Sequence, residues 1–166
     1  MTEAVRIEMA AMLPRLRRFA HALAGDRDEG DDLVQAACAK ALSALHQFTP
    51  GTRLDAWMFT IIRTGFLDRA RSRMRRPTVC DPDAAEALSD GGVGARSAED
   101  RLMLARVRAA MAQLPEDQRA VLALVAIEGF AYREAAEMLD VPLGTVMSRL
   151  ARARARLADA LQEKRA

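Results

Sequence analysis

The chain has 166 residues, enough for one ordinary domain or two small ones, and its 51% hydrophobic and 29% charged content excludes wholesale disorder. Aromatic residues make up only 4%, and Ala, Leu, Arg, Met and Glu dominate, so an all-helical chain is expected rather than a sheet. A net charge of +2 is too small to name a nucleic-acid partner, but it is unevenly spread: residues 63–76 carry six arginines against one aspartate, and residues 144–157 carry four against none.

Over residues 5–24, Met9, Met12, Leu13, Leu16, Phe19, Ala20 and Leu23 recur at the i, i+3, i+4, i+7 spacing of an amphipathic helix, which Gly25 ends. A second helix is expected from near Asp28, where Glu29, Asp31 and Asp32 suit the positive end of a helix, through Leu33, Ala36, Ala37, Leu42 and Leu45. FTPGT, residues 48–52, is the turn that stops it. A third helix begins near Leu54 and buries Leu54, Trp57, Met58, Ile61, Ile62 and Phe66 on one side. Thr60, Arg63, Thr64 and Arg71 share the other at about 100° per residue.

Two prolines, three glycines and a shift to acidic residues then break any period, so residues 76–97 read as a linker between an N-terminal domain, 1–75, and a C-terminal domain, 98–166. The second half restarts with a helix over about residues 98–113. Pro115 opens the next, with acids in its first turn and Gly129 near its end. YREAAEMLDVPLGTVMSRL then gives a short helix, a bend at Asp140 and a longer helix opened by Pro142, which is a helix-turn-helix pattern.

On that last helix Val146, Leu150, Ala153, Leu157 and Leu161 form one stripe, and Thr145, Ser148, Arg149 and Arg152 cluster about a third of a turn away. As the second element of a helix-turn-helix, this free face lies where such a helix enters a DNA major groove. Arginine can meet a guanine edge with two hydrogen bonds, and serine or threonine suits bases or phosphates. Arg154 and Arg156, further along, suit the backbone, where each neutralised phosphate adds salt-dependent affinity. Arginines also decorate any solvated amphipathic helix; the short helix and turn before them favour DNA.

DDLVQAACAKAL, FTPGTRLDAWMFTIIRTGFLDRARSRMRR and LPEDQRAVLALVAIEGFAYREAAEMLDVPLGTVMSRLARARARL, in this order and spacing, resemble an extracytoplasmic-function sigma factor of bacterial RNA polymerase over nearly the whole chain outside the linker. The resemblance implies two helical domains, sigma region 2 and region 4, joined by a flexible linker, with no catalytic residues of their own. It implies docking on core polymerase through Asp32, Leu33 and Gln35. It implies −10 reading by Phe48, Thr60, Arg63, Thr64 and Arg71, and −35 reading by Thr145, Ser148, Arg149, Arg152, Arg154 and Arg156. An anti-sigma partner is implied in the same way. Phe48 is placed to stack on an extruded base, worth about 1–3 kcal/mol per base.

Several positions depart from the family pattern. Thr64 stands where asparagine is common and cannot make an amide's two-point contact to adenine. Ala36, Ala37 and Cys38 stand where relatives carry a glutamate, a small residue and a phenylalanine; Met147 fills a slot that is often basic, and Ala151 one that is often larger.

His21, Cys38 and His46 lack the paired spacing of a zinc site, and no phosphate-cradling glycine loop accompanies a nucleophile, so neither metal, cofactor nor enzyme activity is expected. Cys38 and Cys80 make no disulfide framework, no signal segment opens the chain, and residues 120–127, the longest apolar run, fall far short of a membrane span; the cytoplasm is expected. Two rivals remain: a helix-turn-helix regulator acting without polymerase, and a helical protein whose basic faces bind an acidic partner.

Overall fold

Met9, Met12, Leu16, Phe19, Ala20 and Leu23, the periodic residues of the first helix, are buried along one side of α1 (Thr2–Ala24) in a computed structural model of the chain. The structure describes residues 2–49, 51–75 and 97–163. The expected linker apart from Ser97, together with Cys80 and with Pro50 of the turn, lies outside them.

Gly25 ends α1 in the left-handed region, at φ +76°, donating its N–H to His21 O at 2.9 Å. The chain re-enters a helix at once. Asp26 caps α2 (Arg27–Ser43) by accepting from the Glu29 N–H at 2.7 Å, so α2 starts slightly ahead of the expected Asp28. α2 packs through Leu33, Val34, Ala37 and Ala41. Leu42, expected on this stripe, is 46% exposed: it lies nine residues beyond Leu33, about half a turn round the axis. Gly30 lets α2 approach α1, because a Cβ there would sit 2.9 Å from the His21 backbone nitrogen.

After a single 3-10 turn (Leu45–Gln47), α3 (Leu54–Arg75) buries Leu54, Met58, Ile62 and Phe66 against α1 and α2, while Trp57 and Ile61 are half-buried at its edge. α3 also buries Phe59, which shares the edge of that stripe with Phe66, seven residues on. Its ring meets Phe19 edge-on at 4.9 Å inside the first bundle and Phe130 of the second half at 5.3 Å.

The second half opens with a reciprocal capping box. Ser97 Oγ accepts from the Asp100 N–H and Asp100 accepts from the Ser97 N–H, which starts α4 (Ala98–Ala112). α5 (Glu116–Leu122) follows Pro115 and widens into a π-helical turn (Ala123–Ile127), closed where the Glu128 N–H donates to Ala123 O at 3.0 Å. α6 (Tyr132–Leu139) and α7 (Leu143–Glu163) complete the helix-turn-helix. Asp140 takes the bend between them at φ +52°, as the sequence leads one to expect. Val121, Leu124, Ala135, Leu139, Val146, Leu150 and Ala153 fill the core of this half. No strand occurs among the described residues.

The two halves pack against one another, and their buried apolar residues form one continuous cluster. The seam is both apolar and ionic. Phe130 presses on Phe59 with the Arg53 guanidinium 5.0 Å from its ring centre, and Arg53 pairs with Glu134 across the seam and with Asp55 beside it. The Glu128 carboxylate is fully buried, accepting from Arg15 Nε at 3.1 Å and from Arg18 Nε at 2.9 Å. A buried carboxylate is tolerated only when paired in this way.

Candidate nucleic-acid interface

α7 has one side in the core, with Val146, Leu150 and Ala153 at 2% exposure or less, and its other side carries cations. Arg152, Arg154 and Arg156 are exposed, Thr145 and Ser148 half-buried, and Ser148 Oγ donates to Thr145 O at 3.1 Å. Arg149 differs from the other arginines of the helix. Its side chain is 25% exposed and forms an ion pair with Asp117 on α5, Nε lying 2.9 Å from Oδ2. Met147 is 52% exposed on the same free surface, and Ala151 is exposed beside it.

On α3, Thr60, Arg63 and Thr64 are half-buried and Arg71 is exposed. Thr60 Oγ1 donates to Ala56 O and Thr64 Oγ1 to Thr60 O, each at 2.8 Å, so both hydroxyls are tied to the helix behind them and keep lone pairs for an incoming donor. Phe48 is half-buried, its ring 5.3 Å from that of Trp57, which makes a small aromatic ledge at the start of α3.

Arg63 leans the other way. With Arg71 of α3, Glu116 and Asp117 of α5, Asp140 of the turn and Arg149 of α7, it lines a cleft of about 630 Å³ between the halves. Burial pushes the Arg63 guanidinium below its ordinary pKa and the Arg149 charge adds to that, while Glu116 and Asp140 oppose it. The cleft thus gathers arginines from both expected DNA faces and balances them with carboxylates.

On α2, Asp32 and Gln35 are exposed. Leu33 corrects the sequence expectation. At 2% exposure it belongs to the first bundle's core, so it holds α2 in place and offers no surface to a partner.

Sequence reasoning missed the seam residues Arg15, Arg18, Arg53, Arg119, Glu128 and Glu134. Arg119 is 9% exposed, donates to Ala112 O at 3.0 Å, and sits 5.9 Å from the ring centre of Phe66. Burial pushes its guanidinium down, with Glu116 and Glu29 opposing. No local pattern could reveal these residues, since the partners of Glu128 lie 113 and 110 positions away in the chain.

Family models match on both sides of the seam. "Sigma-70, region 4" covers residues 104–157 and "Sigma2 domain of PhyR" covers residues 9–63. The chain is 40% identical over 157 residues to the ECF RNA polymerase sigma factor EcfG of Rhodopseudomonas palustris, covering 95% of this chain and 84% of that one. It is 37% identical over 136 residues to the ECF RNA polymerase sigma factor SigC of Mycobacterium tuberculosis, covering 81% and 72%. The structure matches the sigma factor RpoE of Bartonella quintana, solved in complex with the anti-sigma factor NepR, with a TM-score of 0.80 at 34% identity over 95% of this chain and 96% of that one.

Proposed function

This chain belongs to the extracytoplasmic-function (ECF) sigma factors of RNA polymerase, and we propose that it divides promoter reading between its two halves. It directs promoter-specific initiation by binding core polymerase and the −35 and −10 elements, and it takes an anti-sigma partner as RpoE does. In the proposed division, residues 98–166 read the −35 element through Thr145, Ser148, Arg149 and Arg152, with Arg154 and Arg156 on the phosphates. Residues 1–75 dock on core polymerase through Asp32 and Gln35, and read the −10 element through Phe48, Thr60, Arg63, Thr64 and Arg71. Residues 76–97 join the two.

One observation carries this division: each half sets a polar, cationic helix face directly behind a fully buried apolar one, so a rigid bundle backs each contact. The chemistry asked of the chain is binding alone. Opening of the duplex draws on contacts made to unpaired bases and not on hydrolysis. The site of action is the cytoplasm, where polymerase works, and no described helix is long and apolar enough to cross a membrane.

The two readers also constrain each other. The −35 and −10 elements lie on the order of 80 Å apart along DNA at about 3.4 Å per base pair. A compact chain of 166 residues has a radius of gyration of only about 15 Å. Arg63 and Arg149, one from each proposed reader, line a single cleft. Reading both elements at once therefore requires the halves to part.

Run-off transcription with purified core enzyme tests the proposal. The chain should direct initiation from genomic fragments, and Thr64→Asn should alter the −10 preference of the DNA selected by the holoenzyme. A Thr64→Asn holoenzyme with an unchanged −10 preference would remove that position from the assignment.

A further inference from the structure

The arginines of α7 are not equivalent. Arg152, Arg154 and Arg156 reach into solvent, whereas Arg149 is anchored through Nε to Asp117 Oδ2 at 2.9 Å. Asp117 is itself held, because its Oδ1 accepts from the backbone N–H of Gln118, also at 2.9 Å. Both oxygens of the carboxylate are thus engaged. The helices behind the pair are equally fixed, with Val121 of α5 and Val146 and Leu150 of α7 at 2% exposure or less.

A guanidinium carries five N–H donors in a planar fork. The ion pair is made at the Nε edge, which leaves both Nη groups, side by side, to donate. Two parallel donors are what the O6 and N7 acceptors of a guanine present in the major groove. The ion pair also holds the guanidinium near one position, which a solvated arginine side chain must otherwise find by losing rotamer freedom on binding.

We propose that Asp117 is a positioning residue for promoter reading: it sets the Arg149 fork for a guanine of the −35 element while touching no DNA itself. This rests on the assignment of Arg149 as a base reader. Asp117 and Arg149 belong to the same half, so the contact survives when the two halves part. The cost of such a device is a negative charge close to phosphates, so Asp117 raises selectivity at the expense of general affinity.

The test uses holoenzyme reconstituted from core polymerase and the full chain, presented with duplex DNA randomised over the −35 element, and sequences what is retained. Arg149→Ala should flatten the preference at one base pair by on the order of tenfold. Asp117→Ala should flatten the same position to a similar extent, while its affinity for non-specific duplex stays level or rises. The double variant should be no flatter than Arg149→Ala alone. A merely structural role for Asp117 would instead weaken specific and non-specific binding together, and overturns the proposal. Asp117→Ala that keeps the full preference while Arg149→Ala loses it also overturns the proposal and leaves the base-reading assignment standing. Arg149→Ala with an unchanged preference sinks that assignment and the proposal with it. Should Asp117→Ala fail to fold, Asp117→Asn, which keeps an acceptor but not the charge, is read against the same outcomes, with partial flattening at the Arg149 position expected.

Discussion

α7 and α3 each carry a proposed DNA face, but the fold leaves them open to different degrees. α7 is covered on one side only, so Arg152, Arg154 and Arg156 stand in solvent. α3 is covered twice: Met58 and Ile62 face its own bundle, and Phe59 meets Phe130 of the other half. Its threonines are half-buried, as are Thr145 and Ser148 on α7, but Arg63 is drawn into the cleft beside Arg149. A helix packed only within its own half presents its free face as folded, whereas a helix packed against both halves presents the whole of its own only after the other half leaves.

The contrast breaks or sharpens most readily at Phe130. Phe130→Ala removes the ring that presses on Phe59, and should cost about 3–5 kcal/mol in urea unfolding. Amide exchange should quicken over residues 54–66 and stay slow over 146–153; equal quickening in both would erase the distinction between the two helices. Glu128→Ala comes next. It leaves Arg15 and Arg18 without the carboxylate they share and should cost about 2–5 kcal/mol, with the same selective gain in exchange on α3.

Gly30→Ala is the matched control, since it strains the first bundle away from the seam. A Cβ there would fall 2.4 Å from His21 Cδ2 and 2.9 Å from the His21 nitrogen, so α1 and α2 must shift at a cost of about 1–3 kcal/mol. The melting temperature should fall by about 5 °C. The exposure of Arg63 to the cleft should be unaffected, which a DNA footprint of the two variants would compare.

Smaller effects mark the two faces themselves. Arg152→Ala should leave stability unchanged and lower the salt dependence of duplex binding by about one unit in the log–log slope, because its guanidinium already stands free. Asp55 sits at the foot of the α3 face. Burial opposes its ionisation, but hydrogen bonds from Arg53 and the Ala56 N–H, with the charges of Arg53 and Arg15, outweigh that and hold its carboxyl below the ordinary range. A carboxyl depressed in the folded state contributes stability above its unfolded pKa of about 3.9 and loses it as pH falls through the folded value. Acid unfolding below about pH 4 should therefore be shallower in Asp55→Asn than in the parent chain.

What could be read from residues alone was whatever depends on near neighbours. The stripe Met9, Met12, Leu16, Phe19 and Leu23, the stop at Gly25, the left-handed bend at Asp140 and the free cationic side of α7 all follow from spacing within one or two helical turns, and local backbone preference dictates them. Order and spacing of three sequence blocks were enough to resemble the family that the relatives establish.

Contacts between residues distant in the chain decided the rest. Leu33 points into the bundle and not toward a partner because α1 and α3 close over it, and Phe59 is buried between Phe19 of its own bundle and Phe130 of the other half. The carboxylate of Glu128 disappears from solvent only because Arg15 and Arg18, far away in sequence, meet it there, and Arg149 differs from its neighbours because it forms an ion pair with Asp117 of another helix. Periodicity reports which side of a helix is apolar. Which polar side chain finds a charge, and which helix gains a second partner, is set by how the bundles meet, and that is a property of tertiary packing.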